Sequence, residues 1–160
     1  MTTTMKNETV ETVVQPGMKV SIHQKMLVDA LNSVSFALSK HSTLPILANV
    51  LITAEHPFLT FATTNLESYA KMELPIIVTL DGSCTVNHND LLTILKPMKN
   101  IMITLTVEDD QLMINGGGMT VSLPTMASDE FPYEPSVKEE DRLYEQRVTL
   151  PASTFKQMVN

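Results

Sequence analysis

The chain has 160 residues, 43% of them hydrophobic and 18% charged, which is typical of a folded protein and excludes a disordered one. It has no apolar run of the roughly 18 residues that a membrane span needs, and its single cysteine excludes a disulfide framework or a cysteine-based zinc site. The net charge of −7 argues against a protein that binds DNA tightly through many phosphate groups.

The chain repeats itself at a fixed interval. An apolar–polar–apolar triplet followed by a helical pattern begins at Val20, Cys84 and Val148, so each copy starts 64 residues after the previous one. The alternation predicts a short, half-buried strand. The apolar positions after each triplet recur at helical spacing and share one helix face. They are Leu27, Ala30 and Leu31; then Leu91, Ile94 and Leu95; then Phe155, Met158 and Val159.

Each triplet leads into a predicted helix. The first helix is predicted from about Gln24 to about Ser39. The second is predicted to begin at a cap provided by Asn87 or Asn89. It should end near Lys96, because the proline that follows cannot continue the ladder of hydrogen bonds.

Three strands are predicted after each of the first two helices. They cover residues 46–53, 58–63 and 69–74, and then 101–107, 111–115 and 119–123. Pro45 is expected to hold the chain extended into the first of these strands. Turn residues separate the others, notably the glycines at 116–118. The repeating unit is therefore strand, helix and three strands (βαβββ), and it occurs twice in full.

Composition divides the chain into four parts. Residues 1–17 lack the apolar core of a signal peptide and are expected to form a disordered polar tail. Residues 18–132 form the predicted domain with the two βαβββ units. The segment at 128–146 is rich in Pro, Glu and Asp, and residues 133–145 within it are predicted to link two domains. Residues 146–160 begin the third copy of the unit, and are expected to be the truncated start of a second domain.

Four short motifs resemble those of the bacterial DNA sliding clamps, the beta subunits of DNA polymerase III. In chain order they are STLPILAN at 42–49, TTNLE at 63–67, DEFP at 129–132 and TLP at 149–151, the last followed by Phe155. They keep the order and approximate spacing of that family over nearly the whole chain after Met18. The resemblance implies an α+β fold, the DNA-clamp fold, in which two βαβββ repeats pack their helices on one face of an antiparallel sheet.

The resemblance further implies a cytoplasmic, non-catalytic processivity factor for DNA replication. In this family, two subunits of three such domains form a head-to-tail ring around double-stranded DNA. A clamp loader places the ring on DNA, and the ring then holds DNA polymerase III at high effective concentration. Polymerase and loader bind mainly through the third domain, which lies outside this sequence, and no cofactor, metal or membrane is implied. The alternative is a stand-alone clamp-like interaction protein that binds a clamp subunit edge.

Two sets of site residues follow from the resemblance. The DNA-facing set is Lys25, Lys40, His41, His88, Lys96 and Lys99. The subunit-interface set is Asn89, Asp90, Met119 and Val121, where an exposed edge strand over 119–123 can accept a strand from a partner. A sliding ring benefits from few and weak phosphate contacts, which answers the objection raised by the net charge. Alternatively, these residues are ordinary surface or sheet-core positions.

A third hypothesis is a hydrolase that uses Cys84, with His88 as base and Asp90 as orienting group. However, Cys84 takes the repeat position of Val20 and Val148, and this position favours a buried, inert side chain. The three glycines lie between two strands rather than before a helix, so they do not form a phosphate-binding loop. The four histidines have no metal-ligand spacing. The sequence therefore favours a protein without catalytic residues.

Overall fold

A computed structural model describes residues 17–132 of the chain. The predicted tail (except its last residue), the predicted linker at 133–145 and the predicted start of a second domain at 146–160 lie outside the described residues.

The described residues fold into nine strands and two α-helices. They are β1 (Met18–His23), α1 (Gln24–Val34), β2 (Asn49–Glu55), β3 (Phe58–Thr64), β4 (Tyr69–Pro75), β5 (Val78–Leu80), β6 (Gly82–Asn87), α2 (His88–Leu95), β7 (Met102–Glu108), β8 (Gln111–Gly116) and β9 (Met119–Met126). Short 3-10 turns lie at Ser35–Ala37, Pro45–Ala48 and Ser128–Glu130. The predicted α+β fold with two helices is confirmed.

The strands are all antiparallel and follow the order β4-β3-β2-β6-β9-β8-β7-β1-β5. The order divides at β9. Residues 119–124 of this strand pair with β8, whereas Thr125 and Met126 pair with β6. Each half of the order therefore takes three consecutive strands from one repeat and the first strand of the other.

The first strands of the two units, which lie 64 residues apart, pair in equivalent ways. In the first unit Val20 pairs with Leu105 of the second unit, and Cys84 in turn pairs with Ile52 of the first. All four side chains are buried. The first strand of each unit therefore pairs with strands of the other unit, so neither unit completes a sheet alone.

A reciprocal pair of hydrogen bonds fixes the two helices against each other. Gln24 Nε2 donates to the carbonyl oxygen of Leu95 over 2.9 Å, and His88 Nε2 donates to the carbonyl oxygen of Leu31 over 2.8 Å. His88 follows Gln24 by 64 residues and Leu95 follows Leu31 by 64, so the two bonds are equivalent under the repeat. The helices are antiparallel, because the start of each lies beside the later part of the other.

The apolar faces of both helices pack on the sheet in one continuous core. Their buried hydrophobic members are Leu27, Ala30, Leu31, Val34, Leu91, Leu92 and Leu95. A fully buried aliphatic side chain of this size contributes about 1.5–3 kcal/mol relative to an exposed one. Within residues 17–132, neither helix has the length and apolar character required to cross a membrane.

Helix α1 ends about one turn earlier than the sequence predicts, at Val34 instead of Ser39. The backbone N–H of Ser35 donates to the carbonyl of Asn32, and the hydroxyl of Thr63 on β3 donates to the carbonyl of Val34. A side chain from a distant strand therefore takes a carbonyl that a further turn of helix would use. Helical periodicity alone cannot predict this hydrogen bond.

The first predicted strand after α1 begins at Asn49, three residues later than expected. Residues Pro45–Ala48 form a 3-10 turn, so the prediction that Pro45 leads directly into a strand is wrong. Only Leu44, the residue before the proline, is extended. Pro45 occupies the first position of the helical turn, where its missing N–H is not needed.

The TTNLE motif has a structural role, since it closes the turn between β3 and β4. The side-chain oxygen of Asn65 accepts hydrogen bonds from the backbone N–H groups of Glu67 (3.0 Å) and Ser68 (2.6 Å). The hydroxyl of Thr64 donates to the Ser68 carbonyl over 2.8 Å. The motif therefore contributes to folding, and we assign it no binding role.

Candidate functional site

Helices α1 and α2 lie side by side on the sheet, and we call this pair the helix layer. Because the two helices are antiparallel, three predicted DNA-facing lysines lie at one end of it. Lys25 lies in the first turn of α1, beside the end of α2, where Lys96 forms the C-cap. Lys99 lies two residues before Ile101, whose carbonyl accepts the backbone N–H of Gln24 over 2.9 Å. All three lysine side chains are exposed. This end of the helix layer therefore presents three positively charged side chains to solvent.

Lys40 and His41 lie at the opposite end of the helix layer. They follow the 3-10 turn after α1, and both are exposed. The start of α2 lies toward the same end, because His88 bonds to Leu31 in the third turn of α1. The predicted DNA-facing set is therefore divided between two separate groups.

His88 does not belong to either group. It is only 3% exposed, and its ring donates to a helix carbonyl inside the domain. The prediction of a DNA-facing histidine at this position is therefore wrong. His88 takes the repeat position of Gln24, which is also buried, but this burial follows from the structure and not from the sequence.

The exposed side of the helix layer has a low density of charge. Lys25 forms an ion pair with Asp29 one turn later, at 3.0 Å and with both side chains more than half exposed. Such a pair stabilises a helix by only a few tenths of a kcal/mol and is screened by salt. Asp90 adds a negative charge in the first turn of α2. The exposed side of the helix layer therefore carries few positive charges, and one of them is paired.

The second candidate site is the side of β9 that faces away from β8, over residues 119–124; we call it the open edge. The β8–β9 hairpin closes through Gly117 and Gly118, both with positive φ. In a two-residue hairpin the flanking pair is hydrogen-bonded, and the pattern then alternates along the strands. The N–H of Thr125 donates to the carbonyl of Asp110 over 3.0 Å. This bond fits the same alternation, in which every second residue of β9 bonds to β8.

This alternation decides which backbone groups are available at the open edge. Odd-numbered residues of β9 bond to β8, so Thr120 and Ser122 direct their N–H and C=O groups away from it. Within residues 17–132 no strand pairs with them there. Pro124, the next position in the same phase, has no N–H to offer. These outward backbone groups were not among the predicted site residues, although the Gly117–Gly118 turn fixes their phase.

The apolar core reaches the open edge. Val121 and Leu123 stand opposite the fully buried Ile114 and Leu112, so their side chains point to the core face, yet both remain partly exposed. Met119 is 50% exposed, at the rim of a shallow pocket of ≈ 250 Å³. A strand added to this edge would cover these three side chains.

Asn89 and Asp90 lie next to the open edge. Val86 on β6 pairs with Thr125 on β9, so the chain enters α2 just where β9 leaves β6. Helix α2 also packs against β9. Asn89 and Asp90 are exposed in the first turn of this helix. The structure thus brings the four predicted interface residues to two adjacent elements.

Cys84 has the environment of an inert side chain. It is 2% exposed, and burial raises the pKa of its thiol from 9.0 to about 12. A thiol with this pKa carries almost no thiolate near neutral pH, and the thiolate is the nucleophile. His88 is engaged with the Leu31 carbonyl and does not serve as its base. In the described part of the chain, no group of three His, Cys, Asp or Glu side chains could hold a metal ion.

The chain resembles known proteins over most of its length. The family model described as "DNA polymerase III beta subunit, N-terminal domain" matches residues 18–135. The beta sliding clamp of Vibrio harveyi is 35% identical over 121 residues, covering 72% of this chain and 81% of that sequence. The beta sliding clamp of Vibrio cholerae is 33% identical over 121 residues, which cover 72% of this chain and 32% of that sequence.

Solved structures give the same match. The sliding clamp of Caulobacter crescentus superposes with a TM-score of 0.71 at 28% identity, over 75% of this chain and 33% of that one. A sliding clamp of Pseudomonas aeruginosa gives a TM-score of 0.70 at 27% identity, over 74% and 33%. The chain therefore spans about a third of the length of these clamps and of the Vibrio cholerae relative.

Proposed function

Because the chain belongs to the family of DNA polymerase III beta subunits, through its N-terminal domain, we propose that it serves as the first domain of a DNA sliding clamp. In this role it makes and breaks no covalent bond. It contributes one segment of a ring that surrounds double-stranded DNA and keeps the replicative polymerase near its template.

The observation that carries the proposal is the pairing of two surfaces in one fold. The helix layer offers a few exposed cations, and the open edge of β9 offers unpaired backbone groups next to an accessible apolar core. A ring segment needs both properties, weak contact with DNA on its inner side and strong contact with the next subunit at its end. The buried, protonated Cys84 supports a non-catalytic role.

We propose that Lys25, Lys96 and Lys99 form the main DNA-facing group, with Lys40 and His41 as a second one. Sparse lysines suit a sliding contact, since each phosphate that is neutralised adds affinity and salt dependence. The proposed subunit contact is the open edge together with Asn89 and Asp90. DNA polymerase III and the clamp loader would act through the rest of the ring.

Sedimentation tests the proposed subunit contact. The 160-residue chain is measured alone and mixed with a fragment of the Vibrio cholerae beta sliding clamp that carries its third domain. We expect a monomer alone and a one-to-one complex in the mixture. A chain that ignores the third domain contradicts the proposed function.

Amide chemical shifts test the proposed DNA-facing group. A short duplex is titrated into the labelled chain at low ionic strength, where phosphate contacts are strongest. We expect shifts along α1 and α2 that weaken in a Lys96→Gln, Lys99→Gln variant. Lys19→Gln is the matched control, because Lys19 is an exposed lysine on β1. Shifts that are equally reduced by the control would contradict the assignment.

A further inference from the structure

We infer that Phe36 forms a stacking site for the unpaired bases of single-stranded DNA, at the end of the helix layer that holds Lys40 and His41. The inference rests on the proposed function, because DNA is the partner in that function. To the phosphate contacts proposed above it adds a contact with the bases themselves, made by a residue outside the predicted DNA-facing set.

Phe36 is the most exposed aromatic side chain within residues 17–132. It is 73% exposed, whereas Phe61 and Phe131 are buried. Leu44, at the other end of the loop that follows it, is 52% exposed. Because an aromatic ring gains free energy when it leaves water, two large apolar side chains left exposed in one short segment indicate a surface that another molecule covers.

The backbone around Phe36 is fixed on both sides. Residues Ser35–Ala37 form a 3-10 turn that packs against β3 and β4, and Ala37 is fully buried. Further along, the N–H of Ser39 donates to the carbonyl of Leu47 over 3.2 Å. The turn therefore holds the ring at a defined place, so that a ligand can stack on it without first ordering the backbone.

The segment around Phe36 has no acidic residue. Between Asp29 and Glu55 the sequence contains no Asp or Glu, although the whole chain has 18 of them in 160 residues. The same segment carries Lys40 and His41, and both are exposed. Lys40 lies four residues after Phe36, a distance of at most about 14 Å along the chain. A DNA strand whose base stacks on Phe36 can therefore bring a nearby phosphate to Lys40.

An aromatic side chain distinguishes unpaired DNA from duplex DNA. In a duplex the faces of each base are covered by stacked neighbours, so Phe36 can reach them only if the duplex is unstacked at a cost. In a single strand the base faces are accessible, and every base can stack on an aromatic ring. Lysines bind both forms of DNA through their phosphates. The ring therefore gives this end of the helix layer a preference for single strands.

Phe36→Leu is the discriminating variant, because it keeps an apolar side chain and removes the ring. Phe58→Leu is the matched control. Phe58 is 43% exposed and lies at the start of β3. It is five residues, or about 17 Å of strand, from Thr63, which bonds to the end of α1. The two variants carry the same chemical change at distant places.

Fluorescence anisotropy of a labelled oligothymidine of about 12 nucleotides measures binding to the 160-residue chain at low ionic strength. We expect Phe36→Leu to weaken binding by about 5-fold or more, and Phe58→Leu to bind within about 2-fold of the parent chain. We also expect the parent chain to bind the oligothymidine more tightly than a duplex of the same length. Phe36→Leu should lose this preference.

A spectroscopic test reports on the stacking directly. The chain has no tryptophan, so Phe36→Trp and Phe58→Trp each introduce a single fluorescent reporter. We expect oligothymidine to quench the emission of Phe36→Trp and to leave that of Phe58→Trp unchanged. Because an indole ring stacks at least as well as a phenyl ring, Phe36→Trp should also bind at least as tightly as the parent chain.

The outcomes separate this inference from the proposed function. If Phe36→Leu binds as well as the parent chain, or the emission of Phe36→Trp does not change, stacking is overturned and Phe36 is left to a protein partner. If the duplex binds as tightly as the single strand, the preference is overturned while the phosphate contacts stand. If neither form of DNA binds, the inference falls, and sedimentation with the third-domain fragment still decides the subunit contact. Weaker binding in Phe36→Leu alone, together with quenching in Phe36→Trp alone, supports the inference.

Discussion

Replacing His88 by alanine removes one of the two reciprocal bonds between the helices. The Leu31 residue is fully buried, and the Ser35 N–H that would reach its carbonyl in a longer helix donates to Asn32 instead. Leaving a buried acceptor without its donor costs about 1–3 kcal/mol, and the space left by the imidazole adds about 1 kcal/mol. We expect His88→Ala to lower the free energy of unfolding by about 2–4 kcal/mol in urea denaturation followed by circular dichroism.

His88→Gln is the matched control, because Gln24 makes the equivalent bond in the first repeat. We expect this variant to lie within about 1 kcal/mol of the parent chain. Gln24→Ala should be milder than His88→Ala, since the Leu95 carbonyl also accepts the backbone N–H of Met98 over 3.0 Å. If His88→Gln is as unstable as His88→Ala, the hydrogen bond is not the source of the stability and the reasoning is refuted.

Two further predictions concern the second repeat. Burial raises the pKa of the Cys84 thiol to about 12, so iodoacetamide should modify it rapidly only after unfolding. The unfolded chain loses this proton above about pH 9 while the folded chain keeps it, so stability should fall by up to ~1.4 kcal/mol per pH unit from there toward pH 12. Cys84→Val should remove that part of the slope in urea denaturation at pH 8 and pH 10; an unchanged slope would contradict the assignment. Asn87→Ala should lower the free energy of unfolding by about 1 kcal/mol, because the Asn87 side chain caps α2 by accepting from the Asp90 N–H over 3.0 Å. Asn87→Asp keeps the acceptor and should unfold near the urea midpoint of the parent chain.

The sequence predicts those parts of the fold that depend on local pattern. The 64-residue repeat locates β1, α1, β6 and α2, although not the end of α1, because alternation and helical spacing indicate which faces are buried. The paired glycines predict the β8–β9 turn, since positive φ at two successive positions favours glycine. The cap at Asn87 is one of the two that the sequence offers, and its side chain makes the expected bond.

The parts that the sequence does not predict depend on contacts between distant residues. The early end of α1 follows from the Thr63 hydroxyl on β3, and the short strand β5 exists because Val78 and Leu80 pair with β1. The burial of His88 follows from the position of Leu31. None of these partners is a neighbour in the chain, so no local pattern contains the interaction.

The same limit applies to the candidate site. The sequence predicts an exposed edge over 119–123, but the strand order places β9 between β6 and β8. One side of residues 119–124 is unpaired only because β9 pairs with β6 through Thr125 and Met126 and with β8 through the residues before them. The residues that offer backbone groups there, Thr120 and Ser122, carry no distinctive side chain. Their role depends on hydrogen-bond phase, which side-chain patterns do not show.

The duplication explains why the two candidate surfaces occur together. Each repeat lends its first strand to the sheet of the other, which places the helix after each strand in one layer and joins the helices through equivalent bonds. The same exchange leaves the third strand after each helix, β4 and the first part of β9, at an edge. The two edges are equivalent in position and differ in chemistry, since β4 carries Lys71 and Glu73 and the open edge of β9 carries no charge. A duplicated unit thus gives the domain two ends that are equivalent in position and different in chemistry.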